Sequence, residues 1–196
     1  MLRMTTARKL ERITAREFLA LDLPDDGWRY ELIDGIVVAM NPPGSPHQVL
    51  AGRLNGHLFT AQQRTLPDCD LRPQAGIAPD GLDDDQMYEA DLALTCAPYE
   101  PGDQGVVTDP ILIVEILSPS TDAKDLKRKL PRYKRIPSVA EILYVHTEKP
   151  VAEIYRRRGD GWEVQLLTTG DTIELETVGL SLLVAELYRG IRFASR

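Results

Sequence analysis

Hydrophobic residues recur along this chain with two different periods, which predict strands in some segments and helices in others. Residues 30–40 form two apolar runs around Asp34-Gly35. An Asp-Gly pair in this setting is a strong β-hairpin signal, because both central residues of the turn need positive φ. Upstream, Thr14 and Glu17 have the spacing of a capping box, which predicts the start of a short helix. We therefore expect an N-terminal helix followed by a β-hairpin.

The rest of the pattern predicts a mixed β-sheet flanked by helices. Residues 45–64 place Leu50, Leu54, Leu58 and Ala61 three or four positions apart, which is one stripe of an amphipathic helix that should cover a sheet. Strands are expected at 69–78, 88–95, 111–117, 141–146, 152–157, 162–167 and 172–176, with a second helix at about 122–135 and helical turns within 181–188. This order is typical of an α/β or α+β domain.

Length and composition are those of one globular domain that spans residues 1–196. Hydrophobic residues make up 43% and charged residues 27% of the chain, which argues against a disordered, collagen-like or coiled-coil protein. The 23 Lys and Arg residues against 30 Asp and Glu give a formal net charge of −7. Any contact with nucleic acid must therefore be local.

The cysteines and the apolar runs predict a cytoplasmic protein with no membrane segment. Cys69 and Cys96 stand far apart without a CxxC pairing, so we expect reduced core residues rather than a zinc knuckle or a disulfide scaffold. No run approaches the roughly 20 apolar residues that cross a bilayer.

The most informative segment is ILIVEILSPST, residues 111–121. Its near-continuous apolar run predicts a strand buried on both faces. Glu115 shares a face with Ile113 and Leu117, so its charge would be costly if it were buried without a partner. It needs a cation, a proton or a metal. The alternatives are an edge strand, or a structural pairing with a core Arg or Lys.

A second carboxylate, Asp91, lies on the preceding predicted strand, in the sequence MYEADLALT. Taken alone, it is more typical of an exposed strand residue. Its position one strand before Glu115 could bring two hard oxygen ligands together on adjacent strands. Such a pair suits Mg²⁺ or Mn²⁺.

The helix predicted after Glu115 is basic, with seven Lys or Arg residues against two Asp within 122–135. At 100° per residue, Leu126, Leu130 and Tyr133 mark its buried stripe and Lys129 flanks that stripe. Lys129 is therefore the basic residue best placed to reach inward, and most of the other charges should lie on a solvated face.

These segments resemble a known family. YELIDGIVVAMNPPGSPHQVLAGRL, EADLAL and ILIVEILSPSTDAKDLKRKLPRYKRI are similar to the Uma-type family of putative restriction endonucleases, a branch of the PD-(D/E)XK nuclease superfamily. The resemblance extends from about residue 14 to about residue 187. It implies a restriction-endonuclease-like core and a Mg²⁺-dependent or Mn²⁺-dependent endonuclease that hydrolyses phosphodiester bonds, with DNA as the expected substrate.

The resemblance also implies roles for individual residues. The catalytic residues would be Glu31, Asp91, Glu115 and Lys129, and the metal ligands would be Asp91, Glu115 and the backbone carbonyl of Ile116. The motif's usual lysine position is Leu117, so the lysine is expected on the next helix, at Lys129. Ala90 stands where the superfamily has proline. Pro131 lies inside the predicted helix, where proline normally causes a kink that costs about 3 kcal/mol.

Phosphate contacts are expected from basic residues on either side of the site, namely Lys127, Arg128, Arg156, Arg157 and Arg158. Nucleases that cut both strands commonly form two-fold dimers, and the apolar segment 181–188 could serve such a homodimer interface. His47, which follows the Pro-Gly loop, and Gln74 are weaker candidates for the same cleft.

The alternative is a nuclease fold without turnover, acting as a nucleic-acid-binding or interaction module. Other enzyme chemistry has little support, because the sequence lacks the GxSxG, GxxxxGK[ST], HExxH and GxGxxG motifs.

Overall fold

A computed structural model describes residues 12–25, 27–98, 105–118 and 122–193, without the side chains of 122–126. The side chain of Leu126, an expected stripe position, and the whole of the segment 119–121 therefore lie outside what the structure describes. The helices are α1 (Ala15–Leu19), α2 (Ser45–Thr65), α3 (Asp122–Tyr133) and α4 (Val184–Leu187), and the strands are β1 (Arg29–Ile33), β2 (Ile36–Met40), β3 (Asp70–Ile77), β4 (Tyr88–Thr95), β5 (Pro110–Leu117), β6 (Glu141–His146), β7 (Ala152–Arg158), β8 (Gly161–Leu167), β9 (Thr172–Leu175) and β10 (Leu180–Leu183). None of the helices in these ranges has the length and hydropathy of a membrane span.

The main sheet of the described chain has six strands in the order β3-β4-β5-β6-β7-β8. β5 and β6 are parallel, because α3 connects them as a crossover, and the other neighbours are antiparallel. The mixed α/β class is confirmed. Since β5 lies between β4 and β6, the edge-strand alternative for Glu115 is wrong.

Helices cover both faces of this sheet. On one face, the predicted α2 stripe of Leu50, Leu54 and Leu58 is fully buried and packs against Leu92 and Val114 of the sheet. The opposite face is covered by α3; the buried residues there are Ile113, Leu117, Ile142, Tyr144 and, from α3, Tyr133. β5 is therefore buried on both sides, as its apolar run predicts.

The N-terminal hairpin is built as expected and is attached to the sheet. Asp34 and Gly35 have φ values of 50° and 72°, the left-handed conformations that the Asp-Gly signal requires. The N–H of Leu32 donates to the carbonyl of Met87 at 2.8 Å, and the N–H of Met87 donates back at 2.9 Å. This pairing places Glu31, the residue before Leu32, beside the start of β4.

The two cysteines form a disulfide, so the expectation of reduced core residues is wrong. Cys69 precedes β3 and Cys96 follows β4, and the antiparallel register pairs Asp70 with Thr95. The next positions outward are the two cysteines, whose Cα atoms are 4.0 Å apart. The cytoplasmic location, which rested in part on reduced thiols, loses that support.

The C-terminal segment packs into the chain's own core. It begins as strand β10 and only then forms the single turn of α4, so the prediction of helical turns over 181–188 is correct for its second half alone. Leu182, Val184 and Leu187 are at most 2% exposed and belong to the α2 side of the core. The apolar pattern that suggested a dimer interface is thus explained by core packing, with Leu183 left 50% exposed.

Candidate active site

Three of the residues expected in the site meet at one point from three different elements. The Nζ atom of Lys129, on α3, lies 2.8 Å from Oε1 of Glu31 on β1 and 3.2 Å from Oε1 of Glu115 on β5. All three residues are at most 4% exposed. Two buried carboxylates therefore share one buried ammonium group.

Tyr133 fixes the position of Glu115. Its hydroxyl donates to Glu115 Oε1 at 2.7 Å, and it follows Lys129 by one helical turn, so both side chains reach the same carboxylate. Burial, and then the charge of Glu115, hold the pKa of Tyr133 well above its ordinary value. Tyr133 is thus a neutral donor. The core-lysine alternative for Glu115 matches the Lys129 contact but does not account for the second acid, Glu31.

Pro131 does not turn Lys129 away from the site. α3 continues through Pro131 to Tyr133, so the proline falls in the last turn of the helix. The hydrogen bond that proline removes would have joined it to the carbonyl of Lys127, while the Lys129 side chain points inward to its acids. The proline inside α3 is therefore compatible with Lys129 reaching the acids.

Asp91 joins the site from β4. The register pairs Leu92 with Val114, so Asp91 and Glu115 come next on the two strands and their side chains share a face. Asp91 is 8% exposed, and its Oδ2 accepts a hydrogen bond from the backbone N–H of Ile116 at 2.7 Å. Ile116 therefore touches the site through its N–H, which orients Asp91.

Two further side chains contact Asp91, namely Arg29, which sequence reasoning did not place in the site, and His47, which was a weaker candidate for this cleft. Nη1 of Arg29 is 3.3 Å and Nε2 of His47 is 3.2 Å from its Oδ1. Burial acts to raise the pKa of Asp91, but the hydrogen bond and charge of His47, the N–H of Ile116 and the charge of Arg29 lower it overall. Asp91 is therefore held as a carboxylate.

A signal for Arg29 exists in the sequence. Arg29 stands two residues before Glu31 in a strand, so the two side chains share a face. His47 lies in the first turn of α2, directly after the loop that follows the hairpin, and its Nδ1 is buried without a hydrogen-bond partner in the described structure. Its contact with Asp91 depends on how α2 packs, which no local pattern reveals.

Glu89 adds a further acid next to Asp91. It lies 3.1 Å from Nη1 of Arg29, and its backbone N–H donates to Glu31 Oε1 at 3.0 Å. Burial raises the pKa of Glu89 despite the charge of Arg29, and the neighbouring carboxylates of Glu31 and Asp91 add to the rise. The acids therefore crowd one end of the sheet.

A cavity of about 550 Å³ opens onto these side chains. Its lining includes Arg29, Glu31, His47, Asp91, Glu115 and Lys129. The carboxylate oxygens are donors that Mg²⁺ and Mn²⁺ prefer, so the chemistry of the site fits such a cation. Among the described residues, however, no three acidic, histidine or cysteine side chains are already gathered as a cation site. The chain's own cations neutralise the acids instead.

The expected phosphate-binding residues divide into two groups. Lys127 and Arg128 are exposed on α3, and Arg128 lines the cavity. Arg128 is therefore available to a substrate that approaches the acids, and Lys127 is available at the surface of the same helix.

Arg156 and Arg157 are not available in this way, which corrects the role expected for them. Arg156 is 5% exposed, and its guanidinium donates to Glu141 at 2.8 Å and to the carbonyl of Glu174 at 2.6 Å. Arg157 donates to three backbone carbonyls within 134–139 at 2.7–3.1 Å. Both guanidinium groups hold neighbouring segments of the protein together.

Arg158 is likewise engaged, at the surface. It forms ion pairs with Glu163 at 3.2 Å and Glu176 at 2.6 Å. We therefore leave the 156–158 segment out of the proposed nucleic-acid surface.

Known proteins resemble this chain in sequence and in fold. The family model Uma2, described as "Putative restriction endonuclease", matches residues 15–185. The relative named "Uncharacterized protein slr1290", from Synechocystis, is 30% identical over 171 residues, which cover 84% of this chain and 86% of that protein. A crystal structure described as a putative nuclease belonging to DUF820, from Anabaena variabilis, has a TM-score of 0.70 at 17% identity and covers 90% of this chain and 97% of its own. At that identity the structural likeness shows the fold alone.

Proposed function

Because the chain belongs to the Uma2 family of putative restriction endonucleases, we propose that it is a metal-dependent endonuclease that hydrolyses phosphodiester bonds, with DNA as its substrate. The observation that carries this proposal is the buried cluster of Glu31, Glu115 and Lys129 beside Asp91. Burying several acids close together lowers the stability of the fold. Buried, closely spaced titratable groups of this kind are typical of functional sites.

The metal ligands in this proposal are Asp91 and Glu115, with Glu31 and the backbone carbonyl of Ile116 as further oxygen donors. Mg²⁺ or Mn²⁺ would supply Lewis acidity toward the phosphate and increase the acidity of a water molecule. The carboxylate chemistry of these residues supports this choice of cation.

The chain's own residues would position the reacting groups. Lys129 holds Glu31 and Glu115 in place and presents a positive charge to the negative charge that grows on the phosphate. Tyr133 and the N–H of Ile116 keep the two strand carboxylates in fixed orientations. These contacts hold the two carboxylates in fixed orientations before a substrate binds.

Binding of the substrate is assigned to Arg128, which lines the cavity, and to Lys127, which is exposed beside it in the sequence of α3. Formation of a homodimer and a cytoplasmic location stay predictions.

A second candidate function is a nucleic-acid-binding or interaction module without turnover. One observation favours it, because Lys129 and Arg29 already neutralise the acids that a metal would need. Titration calorimetry with Mn²⁺ separates the two candidates, since the module requires no metal binding and the nuclease does.

The nuclease proposal is tested by cleavage of double-stranded DNA with Mg²⁺ or Mn²⁺. Glu115→Gln removes a proposed ligand charge and is expected to slow cleavage at least about 100-fold. Glu186→Gln, a half-exposed acid on α4, is the matched control and should cleave like the wild type. Circular dichroism would confirm that both variants fold. Cleavage at the full rate by Glu115→Gln would show that the assignment is wrong.

A further inference from the structure

We propose that a second cavity, adjoining the catalytic one, binds a single unstacked nucleobase of the substrate. The inference rests on the proposed nuclease function and names a binding subsite for it. The occupant is a planar heterocyclic base attached to the same strand whose phosphate lies at the acids.

The second cavity has a volume of about 480 Å³, within the range of about 300–1,000 Å³ common for small-ligand sites. It lies between α1, the segment leading into β1 and the strands β3 and β4. Its walls include Trp28, Arg29, Tyr30, Gln74, Met87 and Glu89. This mixture of aromatic, apolar and hydrogen-bonding side chains matches the flat faces and polar edge of a nucleobase.

The two cavities are continuous in their lining. Arg29 and Glu89 belong to the walls of both. Nη1 of Arg29 is 3.1 Å from Glu89 and 3.3 Å from Asp91. The Arg29 guanidinium therefore lies between Asp91 and the second cavity. A phosphate held at the acids would therefore place its own nucleotide, or the next one, beside the opening.

Trp28 provides the surface on which a base could stack. It is 44% exposed, and it stands directly before the Arg29 that joins the cavities. Tyr30, two residues after Trp28, lines the same cavity. Proteins that bind single-stranded nucleic acid commonly stack bases on aromatic side chains of this kind.

Gln74 provides a group that could read the edge of the base. Its φ is +53° within β3, a left-handed conformation that is costly for a residue other than glycine and is concentrated at functional sites. The strand pairing passes from Pro73 opposite Leu92 to Ala75 opposite Ala90 without pairing Gln74. The side-chain amide carries both donors and an acceptor, which suits the hydrogen-bonding edge of a base.

The first experiment measures binding of fluorescein-labelled 20-mer DNA, single-stranded and double-stranded, and of the matching RNA, in EDTA. Trp28→Ala is expected to weaken binding roughly 5- to 100-fold, which is the usual value of stacking one base. Trp28→Tyr keeps an aromatic ring and should retain most of the affinity. Phe59→Ala removes another exposed aromatic side chain, 53% exposed on α2, and should bind like the wild type.

A scan of oligonucleotides that each lack one base provides the second readout. Loss of the base that occupies the cavity should weaken binding by the wild type and leave binding by Trp28→Ala unchanged, because the two changes remove the same contact. At that position Gln74→Asn, which tolerates the left-handed backbone, should reduce discrimination among the four bases. Gln63→Asn on α2 is the control and should not.

The outcomes separate the two proposals. In one outcome, the wild type cleaves DNA in a Glu115-dependent manner, but loss of no single base changes binding (a flat scan) and Trp28→Ala binds normally. The base site is then wrong and the nuclease proposal stands. If no cleavage occurs but the scan has a Trp28-dependent position, the base site stands on a binding module. A flat scan without cleavage overturns both.

Discussion

At the scale of single residues, the site depends most on Lys129. Its ammonium group is buried between Glu31 and Glu115 at 2.8 Å and 3.2 Å. Removing a charge from a buried ion pair leaves its partner unpaired in a medium of low dielectric. Here the loss would leave two carboxylates facing each other.

We therefore expect Lys129→Met to lower the free energy of unfolding by about 3–5 kcal/mol. Urea denaturation provides the measurement. Lys127→Met, two residues earlier on the exposed face of α3, is the control and should change stability little. Equal stability of the two variants would contradict the paired arrangement.

A second residue-scale prediction concerns acid stability. His146 forms a hydrogen bond with Glu153 at 3.0 Å, and Tyr155 donates to the same carboxylate at 2.8 Å. The hydrogen bond with His146 lowers the pKa of Glu153 from 4.5 despite burial, with help from Tyr155. The pKa of Glu153 is therefore lower in the folded protein than in the unfolded chain. The ionised carboxylate stabilises the fold at pH values above the unfolded pKa, and this stabilisation is lost as the pH falls through the folded pKa.

Glu153→Gln should therefore lower the free energy of unfolding at pH 7, and its difference from the wild type should shrink as the pH falls below 4.5. Urea denaturation at a series of pH values tests this. A difference that stays constant over the whole range would contradict the linkage.

At the scale of secondary-structure elements, the N-terminal hairpin carries Glu31 into the site, so its turn matters for both stability and function. Gly35 has a φ of +72°, and a Cβ added there would lie 2.6 Å from Cβ of Arg12. A left-handed conformation costs a non-glycine residue roughly 1–2 kcal/mol, and the contact with Arg12 adds to that cost.

Gly35→Ala should therefore lower the free energy of unfolding by about 2 kcal/mol. Gly52→Ala is the matched control, because a Cβ there meets open space within α2, and it should raise stability by about 0.5–1 kcal/mol. Urea denaturation of both variants measures whether each change raises or lowers the free energy of unfolding. A Gly35→Ala variant as stable as the wild type would be incompatible with the turn.

At the scale of the whole molecule, a formal net charge of −7 opposes contact with nucleic acid except where basic residues gather. Lys127 and Arg128 are exposed on α3, and Arg128 lines the cavity that holds the acids. The more distant arginines of β7 are engaged within the protein. Binding should therefore be local and should depend on few phosphate contacts.

Lys127→Ala and Arg128→Ala should each weaken DNA binding and make the plot of log K against log salt shallower by about 0.9, the value for one phosphate contact with B-DNA. Fluorescence anisotropy in EDTA between low and moderate salt measures the slope. Arg189→Ala removes a charge whose side chain is 76% exposed after α4 and should leave the slope unchanged. An unchanged slope in all three variants would place the phosphate contacts elsewhere.

The elements and the buried acid follow from the sequence because they depend on local patterns. The Asp34-Gly35 turn has the positive φ values that its residue types favour. The leucine stripe of α2 is buried because its period matches the helix. The apolar run around Glu115 requires a strand covered on both faces, so its carboxylate must be buried there and needs a partner.

Only the tertiary structure decides which groups meet. Cys69 and Cys96 pair, and Asp91 gains Arg29 and His47, because strand register and helix packing bring distant residues together. The same packing commits Arg156 to Glu141 and the C-terminal segment to the core. Local periodicity sets which face a side chain occupies, but contacts between elements depend on long-range geometry that no short segment contains.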